Sequence, residues 1–218
     1  MSLNRRFENC TVAILGDSYS TFRGFIPEER ECYYPSPERV DDVLVVEDTW
    51  WHQLFAKRNM NLLFNDSWSG STVCKDVRDC HPPESAFVLR MKKSLSPTKA
   101  GEQSPACILL FGGTNDSWLG RELGHLTYQN WTEQDLRQVL PAYCYMLDYV
   151  CKSNPDATVF CILNTQLNPR IHEGILTACR HYGAVAIELH DINKKCGHPS
   201  CLGMRQIAQQ IDEALDQY

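Results

Sequence analysis

The chain has no apolar run approaching the roughly 20 residues that a bilayer-spanning helix needs, which excludes a helical membrane protein. It has no surplus of positive charge either: 21 lysines and arginines stand against 27 aspartates and glutamates, a formal net charge of −6. Nucleic-acid affinity rests largely on clustered Lys and Arg. No such cluster is present, so the expected partner is a small molecule or a neutral polymer rather than a nucleic acid. No export signal is expected either. The N-terminal decamer carries two arginines, but the apolar stretch 11–15 is too short for a signal-peptide core and runs straight into Gly16-Asp17-Ser18. A cytoplasmic protein is expected, and the sequons Asn65-Asp66-Ser67 and Asn130-Trp131-Thr132 carry little weight.

Cysteine is plentiful, yet the order a disulfide framework requires is lacking. The 11 cysteines are an odd number without regular spacing, and Cys107, Cys161 and Cys179 sit inside apolar segments as core thiols would. Reduced thiols in a reducing compartment are expected. The paired C-x2-C spacing of a structural zinc site is absent as well. Cys196 and Cys201 around His198, and Cys74 with Cys80 and His81, offer soft ligands without that spacing. No metal and no cofactor is expected. Neither internal repeats nor low-complexity segments nor a shift in composition divide the chain, so residues 1–218 read as one domain.

What is present is alternation. Short β-branched or apolar runs at 11–15, 107–111, 158–163 and 184–187, with a weaker one at 61–64, are strand candidates. Between them lie helical periods: Trp51, Leu54 and Phe55 behind Thr49; Leu136, Val139, Leu140, Tyr143, Leu147 and Val150 behind Thr132; and Ile171, Ile175 and Cys179. A last helix places Met204, Ile207, Ala208, Ile211 and Leu215 behind Ser200 as N-cap. Pro141 is expected to kink or locally loosen the long helix that starts after Thr132. The pattern predicts a three-layer α/β/α, flavodoxin-like fold with a mostly parallel five-stranded sheet and helices on both faces. Ligands then sit beyond the C-terminal strand ends. Two long irregular stretches, 22–47 and 114–131, follow the first and third strands on that face, and a third, 80–101, separates other elements.

Four blocks on that face carry chemistry. The first strand ends in Gly16-Asp17-Ser18, which exposes a serine at a strand tip. Ser18 and its neighbours could equally cap a helix or offer backbone N–H groups to a phosphate. After the second strand, Gly70 in Ser69-Gly70-Ser71 can offer a backbone N–H. After the third, Asn115 in Gly113-Thr114-Asn115-Asp116 can donate to a developing oxyanion, a contact worth about 3–4 kcal/mol in hydrolases, or it is a turn asparagine. After the fifth, His198 in Gly197-His198-Pro199 stands just before the last helix as a candidate base.

These blocks, in this order and each behind a separate strand, resemble the GDSL/SGNH hydrolase superfamily over nearly the whole chain. The resemblance implies that Ser18 attacks an acyl carbonyl and that His198 takes and returns the proton. It also implies an oxyanion hole made by the Ser18 and Gly70 amides with Asn115. The family usually places an aspartate three residues before the histidine, and Lys195 stands there. Asp191 is the candidate substitute acid; the alternative is a Ser-His dyad oriented by a backbone carbonyl. The implied activity is hydrolysis of a small acyl ester, with an O-acetylated carbohydrate one candidate substrate. Two other classes stay open: a non-catalytic ligand-binding module on the same fold, motivated by Lys195, and a flavodoxin-like phosphate or nucleotide binder using the Gly16–Ser20 turn, which leaves His198 and Asn115 without a role. Trp68, Trp118 and Trp131 are candidates for a substrate platform or for loop anchors. His52, His125, His172, His181 and His190 show no partner pattern, and Arg23 and Lys75 take ordinary surface roles.

Overall fold

The structure, a computed structural model, describes residues 6–36, 41–75, 82–99 and 101–218. Five parallel strands, β1 (Thr11–Gly16), β2 (Asn61–Ser67), β3 (Cys107–Phe111), β4 (Thr158–Leu163) and β5 (Val185–Glu188), form one sheet in the order β2-β1-β3-β4-β5. Each of the first four is followed by at least one helix on the way to the next, the connection parallel strands require. The helices are α1 (Trp50–Arg58), α2 (Phe87–Ser94), α3 (Thr114–Trp118), α4 (Val139–Ser153), α5 (Pro169–Tyr182) and α6 (Cys201–Leu215). This is the expected three-layer α/β/α architecture.

The strands read as continuous apolar runs because both sheet faces are covered. Along β1, Val12 and Ile14 point to the layer holding α1 and α6, among Trp50, Trp51, Leu54, Met204, Ile207 and Ile211. Ala13 and Leu15 point the other way, among residues of α2, α4 and α5 such as Met91, Leu147 and Ile175. Cys107, Cys161 and Cys179 are all buried in these cores, as their apolar neighbours predict. Among the described residues the ten cysteines form no disulfide. No helix among those residues is long and apolar enough to cross a membrane.

Several boundaries differ from the sequence reading. β2 runs three residues past 64, through Asn65, Asp66 and Ser67, whose side chains are buried and polar because each has a polar partner. β5 starts at Val185 rather than at 184. The stretch expected to be irregular at 80–101 contains α2, and that at 114–131 opens with α3. Pro141 does not kink a long helix. Thr132 and Asp135 instead exchange hydrogen bonds ahead of a separate 3-10 turn (Asp135–Arg137), and α4 begins afresh at Val139. Pro141 therefore lies in the first turn, where its missing N–H has no intrahelical role.

Candidate active site

The C-terminal ends of three strands come together in register: Gly16 pairs with Ser67 on one side and Phe111 on the other. The loops after β1, β2 and β3 thus leave the sheet side by side. Gly16 is glycine because space demands it. A Cβ there would lie 2.6 Å from Ser67 Oγ and 2.7 Å from Ser20 Cβ. After it the chain makes one 3-10 turn (Ser18–Ser20), capped by Asp17, whose Oδ1 accepts from the Tyr19 N–H at 3.0 Å. Asp17 is thus the cap, whereas Ser18, expected to be exposed at the strand tip, is buried there at 3% exposure.

His198 arrives from the far end of the chain on a small hairpin. β6 (Lys194–Lys195) pairs antiparallel with β7 (His198–Pro199), and the two turn residues, Cys196 (φ 47°) and Gly197 (φ 83°), both adopt positive φ, as the tight twisted hairpin turn requires. Its Nε2 lies 2.9 Å from Ser18 Oγ across 180 residues of sequence. Its Nδ1 lies 3.4 Å from the Cys196 carbonyl. A carbonyl only accepts, so that contact places the proton on Nδ1 and leaves the Nε2 lone pair to accept from the Ser18 hydroxyl. Such a pair can carry a proton away from a serine that becomes a nucleophile.

Gly70 (φ 76°) sits in the turn after β2, held by Ser71 Oγ donating to the Trp68 carbonyl at 2.7 Å. Asn115 and Asp116, both in α3, reach across to this loop. Asn115 Nδ2 donates to the Ser71 carbonyl at 2.9 Å, while the Asp116 carboxylate accepts the N–H groups of Val73 at 2.8 Å and Cys74 at 3.2 Å. Beneath lies Arg90 of α2. Its guanidinium donates to the Gly16 carbonyl (3.0 Å), Ser71 Oγ (3.1 Å), the Ser85 carbonyl (2.7 Å) and Asp66 Oδ1 (2.8 Å). One side chain so joins the strand before Ser18 to the loop that carries Gly70. Burial pushes the Asp17 carboxyl up to about 7, opposed mainly by the Tyr19 N–H hydrogen bond and assisted by the neighbouring Asp116. Asp116 is raised for the same reason, and burial pulls Arg90 down to about 9 against the pull of Asp17.

Asp191 is not brought to His198. Its backbone turns outward at φ 52°, and its nearly fully exposed carboxylate lies 3.3 Å from Nδ1 of the adjacent His190. Lys195 pairs through Nζ with Asp42 at 2.7 Å, tying the hairpin to the loop after β1. Of the three candidate tryptophans, Trp118 alone contacts His198: its ring stands edge-on at 5.7 Å and is half exposed. Trp68 is buried beneath the Arg30 guanidinium, and Trp131 is a loop anchor, donating to the Thr127 carbonyl at 2.7 Å. His181 stacks on Tyr128, His172 pairs with Glu188 at 3.0 Å and Lys75 pairs with Glu133. Cys201 Sγ donates to the Asp42 carbonyl, whereas Cys80 and His81 lie outside the described residues.

Two residues around the site escape sequence reading. Arg90 had a usable signal, since it shares one short apolar segment with Phe87, Val88 and Met91, all buried. Tyr33 had none. It belongs to the loop after β1 and stacks face to face on the His198 ring, centroids 3.6 Å apart and planes 9° from parallel.

Residues 10–215 match the GDSL-like lipase/acylhydrolase family. Two solved structures of proteins named GDSL-like lipases superpose with a TM-score of 0.87. That from Bacteroides ovatus is 37% identical over 96% of this chain and 99% of its own, and that from Bacteroides uniformis is 38% identical over 96% and 97%. An acetyl xylan esterase from Butyrivibrio proteoclasticus shares the fold at a TM-score of 0.62 and 18% identity, over 96% of this chain and 64% of that one. No curated protein matches the chain. A match over nearly the full length, joined to a parallel sheet with these loops at its C-terminal edge, gives the conclusion that the chain belongs to the GDSL-like lipase/acylhydrolase family and is a carboxylic ester hydrolase of the SGNH type.

Proposed function

We propose that the protein hydrolyses a small acyl ester of a carbohydrate through an acyl-serine intermediate, with Ser18 as nucleophile and His198 as general base. The observation that carries this reading is the 2.9 Å hydrogen bond between Ser18 Oγ and His198 Nε2. Ser18 Oγ attacks the acyl carbon as its proton passes to Nε2, and the carbonyl oxygen becomes an oxyanion. The Ser18 and Gly70 N–H groups and the Asn115 amide stabilise that charge. Collapse breaks the bond to the sugar oxygen, which takes the proton from His198. Water then attacks the acyl-serine, giving its proton to His198, and Ser18 is restored with release of the carboxylic acid.

The carbohydrate part rests on two supports. The acetyl xylan esterase named above shares this fold, as does a family two carbohydrate esterase from Clostridium thermocellum. Trp118 also presents a half-exposed ring beside His198, where a sugar that carries the ester can stack.

The test is labelling with a fluorophosphonate probe together with hydrolysis of p-nitrophenyl acetate and a peracetylated sugar. Wild type is expected to label and turn over both, while Ser18→Ala and His198→Ala lose roughly four to six orders of magnitude in kcat. A folded wild type that neither labels nor hydrolyses either ester would favour the binding-module reading instead.

A further inference from the structure

We infer that Tyr33 is a positioning residue for His198, its phenol ring fixing the plane of the imidazole so that Nε2 stays aimed at Ser18; the inference rests on the reading of His198 as the base. A catalytic imidazole is useful only in one orientation, and the contact between its Nδ1 and the Cys196 carbonyl is long, 3.4 Å. Tyr33 covers one ring face in near-parallel contact, at 3.6 Å and 9°. Rotation of the imidazole about its Cβ–Cγ bond would drive a ring edge into the phenol, so the stack resists that rotation. Trp118 at 5.7 Å and Tyr19 at 5.4 Å, both inclined to the imidazole, pack against it as well.

The stack is effective only if Tyr33 is itself anchored, and its anchors are the two turns that must be aligned. The Tyr33 N–H donates to Thr21 Oγ1 at 2.9 Å, and that hydroxyl donates to the Ser18 carbonyl at 3.0 Å. The adjacent Tyr34 donates its hydroxyl to the Pro199 carbonyl at 2.8 Å, next to His198, and packs edge-on against Tyr33 at 4.7 Å. Tyr19, beside the nucleophile, donates its hydroxyl to the Gly197 carbonyl at 2.5 Å. Further along the same loop, Asp42 holds Lys195 at 2.7 Å and the Cys201 N–H at 2.9 Å. The segment Tyr33-Tyr34 is thus a strap between the nucleophile turn and the histidine hairpin, with the Tyr33 ring as its working face.

The experiment compares wild type, Tyr33→Leu and Tyr33→Phe for kcat and KM on p-nitrophenyl acetate and for the rate of fluorophosphonate labelling, with Ser18→Ala as control. Tyr33→Leu is expected to lower kcat and the labelling rate about 10–100-fold, the scale of a misplaced catalytic group, with KM little changed. Tyr33→Phe, which keeps the flat face, is expected to stay near wild type. Independently of any variant's folding, proton NMR of wild type, assigned by loss of signal in His198→Ala, should show the His198 ring protons shifted upfield by the stacked phenol. An unshifted resonance, an unchanged kcat in Tyr33→Leu, or a Tyr33→Phe as impaired as Tyr33→Leu each overturns the positioning role. Labelling that survives in Ser18→Ala overturns the Ser18–His198 reading and this inference with it, whereas Ser18-dependent labelling that is indifferent to Tyr33 overturns this inference alone.

Discussion

Asn115 shows how much one side chain can do with two donors. Its amide carries two N–H groups, and one is committed to the Ser71 carbonyl at 2.9 Å. In the mechanism we propose, that bond fixes the amide plane before substrate arrives and leaves the second N–H to meet the oxyanion without reorganisation, which is the source of large electrostatic effects in a dry site. Asn115→Ala is expected to lower kcat about 10²–10³-fold with little change in KM, measured by steady-state hydrolysis of p-nitrophenyl acetate. A loss confined to KM would mean that Asn115 binds the ground state instead. The motif Gly113-Thr114-Asn115-Asp116 makes an amide donor legible in the sequence. Its bond to Ser71, 44 residues earlier, is not, because no local pattern encodes which carbonyl the fold will bring against it.

At the scale of elements, the strands are legible as short apolar runs buried on both faces and most helices by the period of one buried face, both written locally. The exceptions share a cause. α2 has only eight residues and carries Arg90 among its apolar positions, so it offers too little period to stand out from a stretch rich in serine and proline. Yet this helix delivers the guanidinium that ties Gly16, Asp66, Ser71 and Ser85 together. Arg90→Leu removes one of the two guanidinium partners of the buried Asp66 carboxylate, Arg30 being the other, and leaves the Gly16, Asp66 and Ser85 carbonyls without this donor; it is expected to cost about 3–5 kcal/mol of stability, read from urea denaturation. Arg90→Lys is expected to recover only part of it, since an ammonium cannot reproduce a planar fork with several fixed acceptors. The α4 boundary has a similar origin. Thr132 pairs with Asp135 at the start of a 3-10 turn that stops at Arg137, and the helix that follows uses Pro141 where proline is harmless.

Across the whole molecule, the C-terminal edge of the sheet collects ionisable groups that the fold removes from water: Asp17, Asp66, Arg90 and Asp116 are all buried there. The Asp17 carboxyl, raised to about 7 chiefly by burial, leaves a signature in global stability. Between the ordinary carboxylate value near 4 and about 7, the folded protein holds a proton that the unfolded chain has released. Linkage then requires the Asp17 contribution to stability to be largest at the acid end of that window and to be lost as pH rises through it. Asp17→Asn keeps an acceptor for the Tyr19 N–H and removes the titration, so its stability should vary less steeply over pH 4–7, as chemical denaturation at a series of pH values would show. An unchanged slope would assign the dependence to other groups, such as Asp116. The sequence by itself determined the layer architecture, the two cores and the four loops that carry Ser18, Gly70, Asn115 and His198, because apolar period, glycine and cap residues act over a few positions. Only the tertiary structure decided that Ser18 and His198 meet at 2.9 Å, that Asp191 turns to solvent while Lys195 is taken by Asp42, and that Tyr33 lies flat on the imidazole. Those pairings join residues up to 180 positions apart, and their geometry is set by how five strand ends align, a property of the packed sheet and of no single segment.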